Sequence, residues 1–205
     1  MRLIAENVSG ERGGEILFSG VSFMLESGQG LVVTGPNGTG KSTLLRIMAG
    51  LLPPSEGSIS VEGGEGHGSV AAICHYLGHL NGMKAALTVR ENLLFWQRFS
   101  GEPHLGPNEA LAIVGLQGIE HLPFGYLSTG QRRRIAIARL LLNHRPVWLL
   151  DEPTAGLDRA SEMRFGELMG EHLGQGGIVL AATHQPLGLK GAQELRLGEK
   201  DTGNA

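Results

Sequence analysis

The 205-residue sequence holds a single cysteine, Cys74, which excludes an internal disulfide and fits a reducing compartment. No stretch approaches the ~20 consecutive apolar residues of a membrane-spanning helix, so any part in a membrane process would be played from the side. The opening MRLIAENVSGERGGE places charges among its first residues and lacks a long apolar core, so no signal peptide is expected. Neither sign of charge is in excess: 17 Lys and Arg face 20 Asp and Glu, a net charge of −3, which offers no bulk basicity to nucleic acid or an anionic membrane. Internal repeats, heptad runs and low-complexity linkers are also missing. The length suits one α/β domain, expected to span 1–205, with a polar tail from Gly198 to Ala205 that should fray.

What is abundant is glycine, 33 residues clustered in loops, as in a chain whose backbone must approach a ligand closely. Leu3 to Val8 and Glu15 to Phe23 read as strands around the turn Glu11-Arg12-Gly13-Gly14. Gly30 to Thr34, Val147 to Leu150 and Ile178 to Ala182 are short apolar runs of the buried parallel type. Helical patterns between them predict a parallel sheet covered on its faces. Lys41 to Ala49 is one such helix. Thr88 to Glu91 is a capping box opening another through Trp96, and Pro107 to Leu116 reads as a third with Pro107 at its first position. With the helix after Ser128, these predict a helical lobe inserted over about residues 83–143.

Gly35-Pro36-Asn37-Gly38-Thr39-Gly40-Lys41-Ser42, followed by Thr43, sits between a predicted strand and a predicted helix. That is a phosphate-binding loop: glycines let backbone N–H groups curl around phosphate oxygens, and the helix N-terminus adds a favourable dipole. Lys41 would reach the β- and γ-phosphates and the Ser42 hydroxyl would ligate Mg²⁺. Asp151 and Glu152 end the run Val147 to Leu150, where parallel sheets bind ligands. Alone, such a pair is a solvated turn; beside the phosphate loop, Asp151 would hold the Mg²⁺ shell and Glu152 would orient or deprotonate the attacking water. In Leu127-Ser128-Thr129-Gly130-Gln131, Ser128 and Gln131 form a capping box. Arg132, Arg133 and Arg134 then occupy the first helical turns, where positive charge opposes the dipole. A polyanion brought close would relieve that conflict; a solvated basic face is the other reading.

The order of these pieces resembles the ATP-binding cassette family over nearly the whole chain. Leu127 to Gln131 is similar to its signature motif, with Thr129 replacing a glycine, and Asp151-Glu152 to its Walker B pair. Ala155-Gly156-Leu157-Asp158 resembles its D-loop, where Asp158 also suits an N-cap, and Thr183-His184 falls at its switch histidine. The resemblance implies a P-loop core with an antiparallel β-layer and a helical lobe, binding ATP and Mg²⁺. It implies a homodimer in which Ser128 and Gly130 of one protomer face the γ-phosphate held by the other's Lys41, with ATP hydrolysis driving a membrane partner docked near His79 and the lobe. Two positions depart from the pattern. His79 stands in place of the Q-loop glutamine, and Arg12 stands roughly where an aromatic residue stacks on adenine, a task a guanidinium plane can share and Phe18 could assist. Cys74, His75 and His79 would alternatively suggest a metal or haem site, against which the apolar strand-like run and the missing fourth ligand argue.

Within the family, the short length, Tyr76-Leu77-Gly78-His79, the Thr-bearing signature with three arginines and Trp148 to Asp151 resemble the ATP-binding export subunits of cytochrome c maturation. That implies haem-handling integral membrane subunits as partners, no nucleic acid, and a peripheral place on the cytoplasmic face of the bacterial inner membrane. Competing readings are the ATPase of another ABC exporter or importer, or a soluble cassette ATPase acting on nucleic acid. Against the last stand the lack of a basic surplus, a coiled-coil insertion and a second cassette.

Overall fold

The computed structural model describes residues 1–63 and 69–198; most of the polar tail expected to fray lies outside the described residues. Strands β1 (Arg2–Arg12), β2 (Glu15–Glu26) and β4 (Glu56–Glu62) form an antiparallel sheet in the order β2-β1-β4. Strands β3 (Gly30–Thr34), β5 (Cys74–Leu77), β6 (Val147–Asp151), β7 (Ile178–Ala182) and β8 (Gln193–Arg196) form a parallel sheet in the order β5-β6-β7-β3-β8. The expected P-loop core and antiparallel layer are both there.

The apolar runs earn their place by alternation. Successive side chains of a strand point to opposite faces, and both faces of this sheet are covered. Val147 and Leu149 of β6 join Ile178, Leu180 and Ala182 of β7 in a cluster with β1, β2, β3 and helix α1 (Lys41–Met48). Trp148 and Leu150 join Val179 and Ala181 on the other face, against α5 (Thr129–Leu141) and α6 (Arg159–Gly174). A run that is buried on both sides has no polar position to spare. Strands β4 and β8, by contrast, were not foreseen: their burial is mostly partial or absent, so they carry no comparable apolar signal.

The short helix α2 (Val70–Ile73) leads into β5, and between β5 and β6 the chain passes through α3 (Val89–Ser100), α4 (Pro107–Ile113) and α5, whose buried Leu93, Leu111 and Ile135 share one cluster with the sheet. The Thr88–Glu91 capping box forms as its sequence requires, with Thr88 Oγ1 accepting from Glu91 N and the Glu91 carboxylate from Thr88 N. Helix α4 ends sooner than the expected Leu116. Gly115 adopts φ +69°, its N–H donates to Ala112 O, and Leu116 N donates to Leu111 O. This left-handed glycine cap closes the helix three residues early.

Candidate functional site

Strand β3 delivers the chain into the phosphate-binding loop at the C-terminal edge of the parallel sheet, beside the ends of β6 and β7. Two loop glycines are obligatory. Gly35 has φ +132°, and a Cβ there would sit 2.2 Å from the carbonyl oxygen of Leu197; Gly40 has φ +96°, and its Cβ would meet the Phe18 ring at 2.7 Å. The close approach at Gly40 also disposes of Phe18 as a base-stacking residue: it is buried beneath the loop as part of the core.

Lys41 is buried, and its Nζ donates to Gly35 O at 2.7 Å and Pro36 O at 2.9 Å. Thr39 Oγ1 donates to Pro36 O, and Thr43 is buried in α1. Ser42 Oγ donates to Asp151 Oδ1 at 2.9 Å, across 109 residues of sequence. The following residue, Glu152, takes φ +44°, a strained value for a side-chain-bearing residue, while its N–H donates to Ala182 O at 2.8 Å. Its carboxylate lies 3.5 Å from His184 Nε2, which is also 2.8 Å from Asn37 Oδ1. With two oxygens facing it, Nε2 is assigned the proton. One imidazole therefore links the phosphate loop, the end of β6 and the end of β7.

The capping box at α5 is formed: Ser128 Oγ accepts from Gln131 N at 3.2 Å, and Gln131 Oε1 accepts from Ser128 N at 2.9 Å. A Cβ on Gly130 would stand 3.1 Å from Gly156 O, so this helix start packs directly on the segment Ala155–Asp158. Asp158 caps α6, its Oδ1 accepting from Ser161 N at 2.8 Å, and these hydrogen bonds hold its carboxyl below the usual carboxylate range. Arg12 and His79 are exposed, and neither joins the cluster of Lys41, Asp151, Glu152 and His184.

The three arginines of α5 do not form a solvated basic face. None is merely a solvated charge, and none depends on a polyanion for partners: each guanidinium binds carbonyl oxygens of its own chain. Arg132 Nη2 donates to Gly125 O at 2.6 Å, and Arg134 Nη1 to Val114 O and Gly115 O, both at 3.4 Å. Arg133 is buried, with bonds to Gly78 O (2.8 Å), Asp151 O (2.9 Å), Glu152 O (2.8 Å), Pro153 O (2.9 Å) and Asn81 Oδ1 (3.3 Å). Burial lowers its pKa to about 10, partly offset by Asp151 and Glu152, so it is charged at neutral pH. Arg133 thus ties the loop after β5 to Asp151 and Glu152 at the end of β6. Sequence reasoning missed this, because nothing local distinguishes Arg133 from its two neighbours.

Residues Cys74, His75 and His79 do not converge. His75 Nε2 meets Asn143 O at 3.0 Å, with burial lowering its pKa to about 4, and burial pushes the Cys74 thiol up to about 11. Among the described residues no group of three or more His, Cys, Asp or Glu side chains is placed to hold a metal ion.

Residues 18–155 match the ABC transporter family. The chain belongs to that family. It is accordingly an ATP-binding, ATP-hydrolysing ABC subunit that works with membrane subunits. Among its curated relatives, the cytochrome c biogenesis ATP-binding export protein CcmA of Chelativorans sp. (strain BNC1) is 68% identical, covering 97% of this chain and 98% of that protein. CcmA of Mesorhizobium japonicum is 66% identical over the same shares, and CcmA of Brucella abortus (strain 2308) is 64% identical over 94% of this chain and 89% of that protein. A putative ABC transporter ATP-binding protein from Pyrococcus furiosus shares the fold with TM-score 0.82 at 23% identity, covering 96% of this chain and 98% of that one. A cassette solved as a dimer in a post-hydrolysis state with ADP and Pi matches with TM-score 0.76 and 25% identity, over 89% of this chain and 88% of that one. Among the described residues of this ABC subunit, no helix is long and apolar enough to cross a membrane.

Proposed function

We propose that this ABC subunit powers the export step of cytochrome c biogenesis, acting as a homodimer on haem-handling integral membrane subunits from the cytoplasmic face of the inner membrane. The observation that carries this reading is near-full-length identity of 64–68% to proteins named for that step. The finer marks around Tyr76 to His79 and Trp148 to Asp151 agree with it.

In this proposal residues 35–43 cradle the ATP phosphates. Lys41 gives up its loop carbonyls for the β- and γ-phosphate oxygens, and Ser128, Gly130 and Gln131 of the second protomer close on the γ-phosphate. Glu152 accepts the proton of the attacking water as the γ-phosphate bond breaks, and His184, bridged to Asn37, holds the Glu152 carboxylate in line. Asp158 braces the interface segment, Arg12 stacks on adenine, and His79 stands at the contact with the membrane partner. Two hard oxygen donors 2.9 Å apart, Ser42 Oγ and Asp151 Oδ1, fit Mg²⁺, which takes few protein ligands and keeps the rest for water and phosphate. When bound there, the ion supplies charge neutralisation to the phosphates.

The test is made in cells holding no second copy of the gene. Lys41→Ala should abolish covalent c-type cytochromes on haem-stained denaturing gels, while spectra of native membranes retain non-covalent b-type haem. Normal c-type cytochromes in that strain would refute the cytochrome assignment.

A further inference from the structure

Strand β5 runs parallel to β6, with Cys74 to Leu77 paired in register with Val147 to Leu150. Tyr76 stands opposite Leu149, and both pack on the α1 face of the sheet. Side chains alternate along a strand, so Asp151, two residues past Leu149, lies on that face too, as its bond from Ser42 Oγ of α1 requires. The Tyr76 ring leans toward this end of the sheet. A Cβ on Gly78 would stand 2.8 Å from the ring carbon Cε1 and 3.0 Å from the hydroxyl oxygen. Gly78 is level with Asp151, one step beyond the Leu77–Leu150 pair, and Arg133 binds the carbonyls of both.

The phenol arrives there without a protein partner. Its hydroxyl oxygen is buried and closes no hydrogen bond among the described residues. The charged groups that act on it are Arg46, one turn along α1 from Ser42, and Asp151. Burial raises its pKa, so the proton stays on the oxygen. A hydroxyl rotates to suit its surroundings; between a guanidinium and a carboxylate it turns its lone pairs to the cation and its proton to the anion. A buried donor left unpaired is costly. Asp151, with acceptor sites beyond the one that Ser42 uses, is the group that can take it.

We propose that Tyr76 is a positioning residue for the metal: its hydroxyl donates to the Asp151 carboxylate and fixes the oxygen that Asp151 turns toward Mg²⁺. This rests on the reading above that Ser42 and Asp151 hold the ion. A carboxylate beside a metal is itself held by hydrogen bonds, and losing one lowers metal affinity by about 10–100-fold. Here Ser42 holds Asp151 from α1 and Tyr76 holds it from β5, so two separate elements fix one carboxylate. No protein group bonds the hydroxyl in the fold itself. Its contribution therefore belongs to the metal-loaded site and not to the stability of the sheet.

The experiment compares the purified full chain with Tyr76→Phe, which keeps the ring and deletes the oxygen, and with Asp151→Asn. A fluorescent, non-hydrolysable ATP analogue is titrated once in Mg²⁺ and once in EDTA, and the ratio of the two dissociation constants gives the gain due to the ion. Tyr76→Phe should lower that gain by about tenfold or more, with the affinity in EDTA unchanged. The half-saturating Mg²⁺ concentration for ATP hydrolysis should rise by a similar factor. The melting temperature without nucleotide should hold or rise, since the substitution removes no hydrogen bond of the fold. A fall there would make the oxygen a structural group and overturn the proposal, as would an unchanged gain or an equal loss of affinity in EDTA. Asp151→Asn separates the two readings. If it abolishes the gain and Tyr76→Phe does not, the proposal alone fails; if neither variant alters the gain, the metal reading fails with it.

Discussion

Replacing Arg133 by methionine should be among the most damaging single changes outside the phosphate loop. The guanidinium satisfies four backbone carbonyls, those of Gly78, Asp151, Glu152 and Pro153, at 2.8–2.9 Å. Methionine matches much of the volume and none of the donors. Hydrogen bonds to a charged group contribute about 1.5–3 kcal/mol each, and a buried acceptor left bare costs about 1–3 kcal/mol. Against that sum stands the cost of burying the charge, which methionine removes. The net loss should be about 4 kcal/mol, or a fall of about 8–16 °C in Tm for a domain of this size. Urea unfolding of the nucleotide-free protein measures it, with an unchanged m-value showing that the folded state is otherwise intact. Arg133→Lys, with one point charge for a spread of acceptors, should recover only part of the loss. Since Arg133 holds the carbonyls of Asp151 and Glu152, both variants should lose ATP hydrolysis more than ATP binding. A loss below about 1 kcal/mol for Arg133→Met would refute the reasoning, since three or more of those carbonyls would then have other partners.

Glu152→Gln keeps the shape and removes the proposed base, so hydrolysis should fall by roughly 10²–10⁴-fold while ATP affinity holds and ATP-dependent dimers accumulate; turnover near wild type would remove Glu152 from its proposed role. Gly130→Asp puts a carboxylate against Gly156 O and, in the proposed dimer, against the γ-phosphate, so it should block dimerisation and hydrolysis with ATP binding by the monomer little changed, as read by nucleotide titration beside sedimentation. His75 and His172 are buried, each with its pKa lowered to about 4 by burial. Their unfolded forms take up protons near pH 6.5 and the folded forms do not, so stability is full above that pH and falls between about 6.5 and 4, by up to about 1.4 kcal/mol per pH unit for each histidine. His172 stacks 4.1 Å from Trp148; in His172→Phe the ring stack is kept and the slope of unfolding free energy against pH should drop by one proton, an unaltered slope excluding that histidine.

What the sequence determined by itself was everything carried by neighbours in the chain. The capping boxes at Thr88 and Ser128 and the cap at Asp158 each close through hydrogen bonds spanning three residues, so their partners are guaranteed by adjacency. The phosphate loop is likewise local, and the buried strands β6 and β7 announce themselves because both faces are covered and every position is apolar except Asp151 at the end of β6. Tertiary structure alone decided what long or distant side chains reach. Asn37 and His184 are 147 residues apart, and their contact depends on β3 and β7 lying side by side. Three consecutive arginines look alike in sequence, yet Arg133 is buried on the carbonyls at the end of β6 while Arg132 and Arg134 bind separate loops, because a turn of helix points them at different neighbours. Phe18, a plausible aromatic by position, is held in the core by the close passage of Gly40. A local hydrogen bond is settled by a few dihedral angles. The destination of a flexible cation or an aromatic ring is settled only when the sheets and helices have packed.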